Sequence, residues 1–172
     1  DRPRGQDVTE IDLGRTILMP GFVNAHTHLE LSHLEGALSA DRGFVAWVED
    51  QLRVRAERSP GEIPVAIRKA VAALEAGGTV AVADVSNSLA AVGPLKESSL
   101  HALVLHEILG FDPAKASALF EQTKTMRSAA NAKPGPRVSI ELAAHAPHSI
   151  SRELFELLMT HGGVRSIHVA ES

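Results

Sequence analysis

The sequence predicts an α/β fold built on a parallel sheet. Three observations predict it. Apolar, β-branched runs recur at 79–85, 101–109, 138–144 and 164–170, and continuous runs of this kind belong to strands buried on both faces. Stretches of helical period lie between them at 44–58, 63–76, 113–131 and 151–159. Glycine and proline clusters punctuate the joins. Strands alternating with helices describe a parallel sheet covered by helices.

Taken in order, residues 8–12 alternate as a half-exposed strand, and 16–19 form a second short strand stopped by Pro20-Gly21. Residues 22–25 lead as a buried strand into His26-Thr27-His28. A loop of polar and small residues fills 30–42. Phe44, Val45, Trp47, Val48, Leu52 and Val54 lie mostly on one side of a helix that Ser59-Pro60-Gly61 breaks. The helix over 63–76 closes at Gly77-Gly78. Pro113 opens the next helix, and a Lys-Pro-Gly-Pro turn follows it. Ser151 is placed to cap the helix over 151–159, which His161-Gly162-Gly163 closes. The pattern alone leaves two architectures open: the first five units of an eight-stranded barrel, which as a whole needs about 250 residues, or an open doubly wound sheet.

Composition removes several classes of function. The 172 residues contain no cysteine, which excludes a disulfide framework, thiolate zinc sites and cysteine nucleophiles. Net charge is −4 with Lys and Arg scattered, so no basic stripe points to nucleic acid. The longest apolar runs are too short to span a membrane, and the opening Asp-Arg-Pro-Arg-Gly lacks a secretory pattern. A cytoplasmic location is the expectation. The first residue is not Met, which points to missing upstream sequence.

Nine histidines are the remaining chemical resource. Side chains two apart on a strand share a face, so His26 and His28 can grip one metal ion from a single strand end. His168 closes the last predicted strand with Glu171 in the turn after it. An imidazole beside a carboxylate near metal can activate water and move its proton. His145 and His148 sit at a third strand end. In α/β proteins ligand sites gather at the C-terminal ends of strands.

At this point the chain resembles the amidohydrolase superfamily, in the branch that holds cytosine, guanine and S-adenosylhomocysteine deaminases with the triazine hydrolases. The matching pieces are Met19-Pro20-Gly21 through His26-Thr27-His28, then 44–47 (FVAW), 78–84 (GTVAVAD), 107–110 (EILG), 145–149 (HAPHS) and 168–171 (HVAE). The string 24–32 (NAHTHLELS) is most similar to a group that includes aminodeoxyfutalosine deaminases. The resemblance implies a partial (β/α)8 barrel of about five β/α units over 21–172, preceded over 1–20 by the tail of a small β-sandwich. It implies one divalent metal, Zn²⁺ first and Fe²⁺ as the alternative, held by His26, His28 and His168. It gives Glu171 the role of proton shuttle and turns His145 to the substrate. Trp47 and Glu107 fall where relatives shape the substrate pocket; their plainer readings are helix packing and a solvated strand end. Glu30, in the loop beside the pocket, is a candidate to hold a polar substrate group.

The implied reaction is hydrolytic deamination of an amino-substituted heterocycle or nucleoside by metal-activated water. Dechlorination of a triazine or opening of a cyclic amide would use the same ligands. Two-metal relatives carry a bridging Lys on the fourth strand, and 138–144 has none, which favours one metal. The family also uses a His from the sixth strand and an Asp from the eighth, for which these residues leave no place. The 172 residues alone are therefore expected to be inactive, with the rest of the barrel supplied by further C-terminal sequence. The competing reading is a non-catalytic amidohydrolase fragment, structural or weakly metal-binding. The expected partners are a small-molecule substrate and a second copy in a homo-oligomer. Of the other histidines, His33 reads as a solvated loop residue, His101 and His106 as packing or surface residues, and His161 as an imidazolium favoured at a helix C-terminus.

Overall fold

The computed structural model describes residues 9, 11–39, 41–131, 135–161 and 166–170. Strand β1 (Phe22–Thr27) is followed by a 3-10 helix (Leu29–Leu34), then α1 (Phe44–Glu57) and α2 (Glu62–Ala76). Next come β2 (Thr79–Ser86), α3 (Val92–Glu97) and β3 (His101–Ile108). A single 3-10 turn (Pro113–Lys115) leads into α4 (Ala116–Asn131), then β4 (Val138–Ala144) and α5 (Arg152–His161).

The four strands are parallel and lie in the order β1-β2-β3-β4. A doubly wound sheet reverses its strand order at a switch point. This sheet steps in one direction only, as a barrel does, so it is an arc of a barrel wall.

Local chemistry explains the boundaries. The Ser151 hydroxyl accepts the Leu154 amide at 3.2 Å and caps α5. Asp112 accepts the Ala114 amide at 3.0 Å with Pro113 at the first position, so the predicted helix over 113–131 starts with a 3-10 turn. Gly78 adopts φ +80° between α2 and β2, a conformation that favours glycine. Gly21 lies so close to Val80 that a Cβ would sit 2.2 Å from its Cγ1.

Alternation along the strands sorts the core. Val82, Val104 and Ile140 face outward and pack with Ile67 and Val71 of α2 and with Leu95 of α3. Ile108, Leu142 and Ala144 pack with Phe120 of α4 and with Leu154 and Leu158 of α5. Val85, Leu105 and Ala143 form a smaller cluster on the opposite, concave face. Burying a side chain such as Ile67 or Leu154, both fully enclosed, contributes roughly 1.5–3 kcal/mol.

Three expected strands are not found. Residues 9, 11 and 12 and the run 16–19 carry no strand, and neither do 166–170. A strand exists through its ladder, and among the described residues these segments have no ladder partner. The fifth unit is still tied to the sheet: the His168 amide donates to the His145 carbonyl at 2.7 Å. The loop expected over 30–42 contains the 3-10 helix, and α3 was not foreseen. Among the described residues no helix is long and apolar enough to cross a membrane.

Candidate metal centre

His26 and His28 reach the concave face through an irregularity in β1. Asn24 lies opposite Val82, and Thr27 lies opposite Asp84, with a register shift between them. Three steps on β1 thus match two on β2, a bulge that re-aims the side chains around it. The Asn24 carboxamide oxygen accepts the His26 amide at 3.1 Å within this irregular stretch.

The three predicted ligands converge. Ring centroids are 5.0 Å apart for His26 and His28, 5.0 Å for His26 and His168, and 5.4 Å for His28 and His168. One ligand nitrogen from each lies within 4.8 Å of the others. A tetrahedral ion with Zn–N of about 2.1 Å spaces its ligands about 3.4 Å apart, so small ring rotations complete the fit. Three imidazoles are a donor set suited to a borderline-soft divalent cation.

Two further groups border this cluster. His145 stands 5.4 Å from the His168 ring, and its Nδ1 lies 2.6 Å from the Ser149 hydroxyl. Ser149 in turn donates to the Ala146 carbonyl at 3.1 Å. Glu107 is 6% exposed, so it is not a solvated strand end. Its Oε1 lies 3.0 Å from His168 Nδ1, and its Oε2 accepts from Asn87 Nδ2 at 3.1 Å. Glu107, His145 and His168 form a second cluster of potential ligands that shares His168 with the first.

Trp47 is half-buried and stacks on Phe44 with ring centroids 6.1 Å apart. It shares a shallow groove with His28, Leu31 and Gln51, which brings it beside the histidine cluster. Glu30 is 3% exposed and points into the turn after β2. Its Oε2 accepts from Ser86 Oγ at 2.8 Å, the Ser88 amide at 3.0 Å and the Ser88 hydroxyl; Oε1 accepts the Asn87 amide at 3.3 Å. Arg55 lies 3.7 Å from the same carboxylate. Burial alone would raise the Glu30 pKa, but the hydrogen bonds from Ser88, Ser86 and Asn87 outweigh it and hold the carboxyl below its usual range.

Glu171 lies outside the described residues. Ala170 just before it has φ +56°, an uncommon backbone state for a residue with a Cβ.

Of the other histidines, His33 departs from the solvated reading and His106 takes the packing one. His33 is 7% exposed, with Nδ1 held at 2.9 Å from the Glu30 carbonyl. His106 is buried on the helix-facing side, and desolvation lowers its pKa. His161 Nε2 lies 3.2 Å from the Arg127 guanidinium.

Residues 17–172 match the amidohydrolase family. The chain belongs to the amidohydrolase family. It is 27% identical to a 5-methylthioadenosine/S-adenosylhomocysteine deaminase of Syntrophomonas wolfei, over 99% of this chain and 40% of that protein. The fold resembles a Helicobacter pylori aminofutalosine deaminase solved with methylthio-coformycin, with TM-score 0.71 and 28% identity, over 87% of this chain and 36% of that one. It also resembles a zinc-bound adenosine deaminase from Xanthomonas campestris, with TM-score 0.63 and 26% identity, over 83% and 33% of the two chains. The chain thus spans about 40% of the length of the curated relatives it matches.

Sequence reasoning did not foresee Asn87 and Ser149 as braces of the site. Asn87 acts on Glu107, 20 positions away, so no local window marks it; Ser149 lies four residues from His145 within the 145–149 string, and its hydrogen bond to that ring was the part not read.

Proposed function

We propose that this chain is the metal-binding part of a hydrolytic deaminase acting on adenosine-like nucleosides, with Zn²⁺ as the metal. The observation that carries the reading is the convergence of His26, His28 and His168 on one point at the C-terminal ends of a parallel sheet. The named relatives deaminate nucleosides of this kind, and one is a zinc-bound structure. A cytoplasmic setting, a small-molecule substrate and assignment of 1–20 to a small β-sandwich belong to the same proposal.

In this reading His26, His28 and His168 hold the cation through neutral imidazoles. The cation supplies Lewis acidity, which lowers the pKa of bound water towards about 7. His145 faces the substrate with Nδ1 held at Ser149 Oγ, which directs Nε2 into the site as its second polar atom. Trp47 offers an apolar wall beside His28 on which a heterocycle can pack. Glu171 carries the proton to the ring nitrogen or to the departing ammonia; sequence adjacency to His168 supports that role.

The test is metal analysis of the full-length protein, coupled to an ammonia-release screen over adenosine, 5′-modified adenosines, aminopurines and aminopyrimidines. One equivalent of zinc and ammonia from an adenosine-like nucleoside is the expected result. Chloride release from a triazine or opening of a cyclic amide would reassign the substrate. Absence of both metal and turnover would leave the non-catalytic reading.

A further inference from the structure

A metal-ligating histidine has two ring nitrogens, and the one facing away from the ion usually donates to a carboxylate or carbonyl that fixes tautomer and direction. His168 shows this arrangement in detail. Its Nδ1 lies 3.0 Å from Glu107 Oε1 and 3.2 Å from the His145 carbonyl oxygen. The carbonyl can only accept, so Nδ1 carries the proton and directs it to His145, with the Glu107 carboxyl in contact beside the same nitrogen. The lone pair that His168 offers to a cation is then on Nε2.

Glu107 is itself held. It ends the concave face of β3, two residues beyond Leu105. Its Oε2 and its backbone carbonyl receive the Asn87 carboxamide at 3.1 and 3.2 Å. Asn87 belongs to the turn that Glu30 grips through Ser86, the Asn87 amide and Ser88. A hydrogen-bonded path therefore runs from the turn after β1, through the turn after β2, to Glu107 on β3, whose Oε1 stands in ion-pair contact, 3.0 Å, with His168 Nδ1.

We propose that Glu107, braced by Asn87, is a positioning residue that fixes the Nδ1–H tautomer of His168 and aims its Nε2 at the point shared by His26 and His28. This inference rests on the metal-site reading above and assigns Glu107 to a ligand histidine in place of the substrate. An anionic acceptor does more here than the His145 carbonyl can. A carboxylate in contact with Nδ1 favours the proton on that nitrogen electrostatically, and an outer-sphere carboxylate raises the basicity of the ligating nitrogen.

The experiment compares the full-length protein with Glu107→Gln and Glu107→Ala. Two readouts are used: the His168 tautomer by ¹⁵N NMR of the metal-free protein at pH 8, and zinc affinity by chelator competition. The expected result is Nδ1–H in the parent, with that fraction falling from Glu to Gln to Ala. The zinc Kd rises in the same order, by about 10- to 100-fold overall. The tautomer is read without metal or substrate, so the proposal can fail while the deaminase reading stands, and the reverse. An Nε2–H tautomer in the parent overturns the proposal. So does an unchanged tautomer in Glu107→Gln, which would leave the His145 carbonyl as sufficient holder. Loss of zinc affinity by more than about 1,000-fold in Glu107→Gln, beyond the range for an outer-sphere partner, would make Glu107 a direct ligand and also overturn it. Should Glu107→Ala fail to fold, the Gln comparison decides.

Discussion

Asp84 Oδ1 accepts the Leu29 amide at 2.8 Å, tying the end of β2 to the turn that follows His28. Asp84 is fully buried, and its Oδ2 finds no hydrogen-bond partner among the described residues. Burial raises its pKa from 3.8 to about 7, with the Leu29 amide opposing and the Glu30 charge adding to the rise. The folded state therefore holds a proton that the unfolded chain releases between about pH 4 and 7. Stability contributed by this group falls as pH rises through that window. Urea unfolding of the metal-free full-length protein at pH 5 and pH 8 reads the effect. Asp84→Asn keeps the acceptor for Leu29 and removes the ionisation. The variant should gain on the order of 1–3 kcal/mol over the parent at pH 8 relative to pH 5. An identical pH dependence in the two proteins would show that Asp84 ionises as an ordinary carboxyl.

Glu30 has the opposite sign. Its carboxyl sits below the usual range, so the stability it contributes is present above about pH 4.5 and is lost as pH falls through its folded pKa. Glu30→Ala leaves the Ser86 and Ser88 hydroxyls and two amides of the turn without their common acceptor. The expected loss is about 2–4 kcal/mol at pH 7, shrinking towards acid pH. Hydrogen exchange at the Ser88 amide should accelerate before exchange in β3 does. Equal acceleration across the sheet would mean that Glu30 supports the whole fold and not this turn.

The same two carboxylates show where sequence reading stopped. Strand β4 was legible to the residue and α2 to within one, because apolar period and glycine or proline stops are local signals. The convergence of His26, His28 and His168 was legible too: the first two stand at the end of β1, and His168, though in no strand, is held to the end of β4 by its amide on the His145 carbonyl. Glu30 and His33 were read as loop residues because both are polar. They are buried through partners such as Ser86 and Ser88, 56 and 58 positions away from Glu30, which no local window contains. Residues 16–19 and 164–170 were read as strands, but 16–19 and the described part of the second run, 166–170, lack a ladder partner among the described residues. Propensity describes what a segment can become, and pairing decides whether it does.

Leu154 is fully buried in the outer layer, where its Cδ2 lies 2.8 Å from the position a Cβ on Gly110 would take. Leu154→Ala should cost about 2–5 kcal/mol by opening a cavity beneath α5. Gly110→Ala should also destabilise, because the new methyl meets both Leu119 and Leu154. Combining the two relieves half of that clash, so the double variant should lose less than the sum of the singles. Chemical denaturation of the four proteins measures the coupling. Strict additivity would show that the chain relaxes around Gly110 without help from Leu154.

The last prediction separates holding the metal from moving the proton. His26→Ala, His28→Ala and His168→Ala each remove one of three converging nitrogens, so each should leave the full-length protein with less than one equivalent of zinc and no turnover. Glu171→Gln should behave differently. A carboxamide of the same shape cannot relay a proton, so the rate should fall by a factor on the order of 100 or more, while zinc stays at one equivalent. Metal analysis and ammonia release on the same samples distinguish the two classes. Full activity in Glu171→Gln would remove Glu171 from proton transfer and leave the histidine cluster untouched. Zinc loss in that variant would instead make its carboxylate part of the cation's coordination.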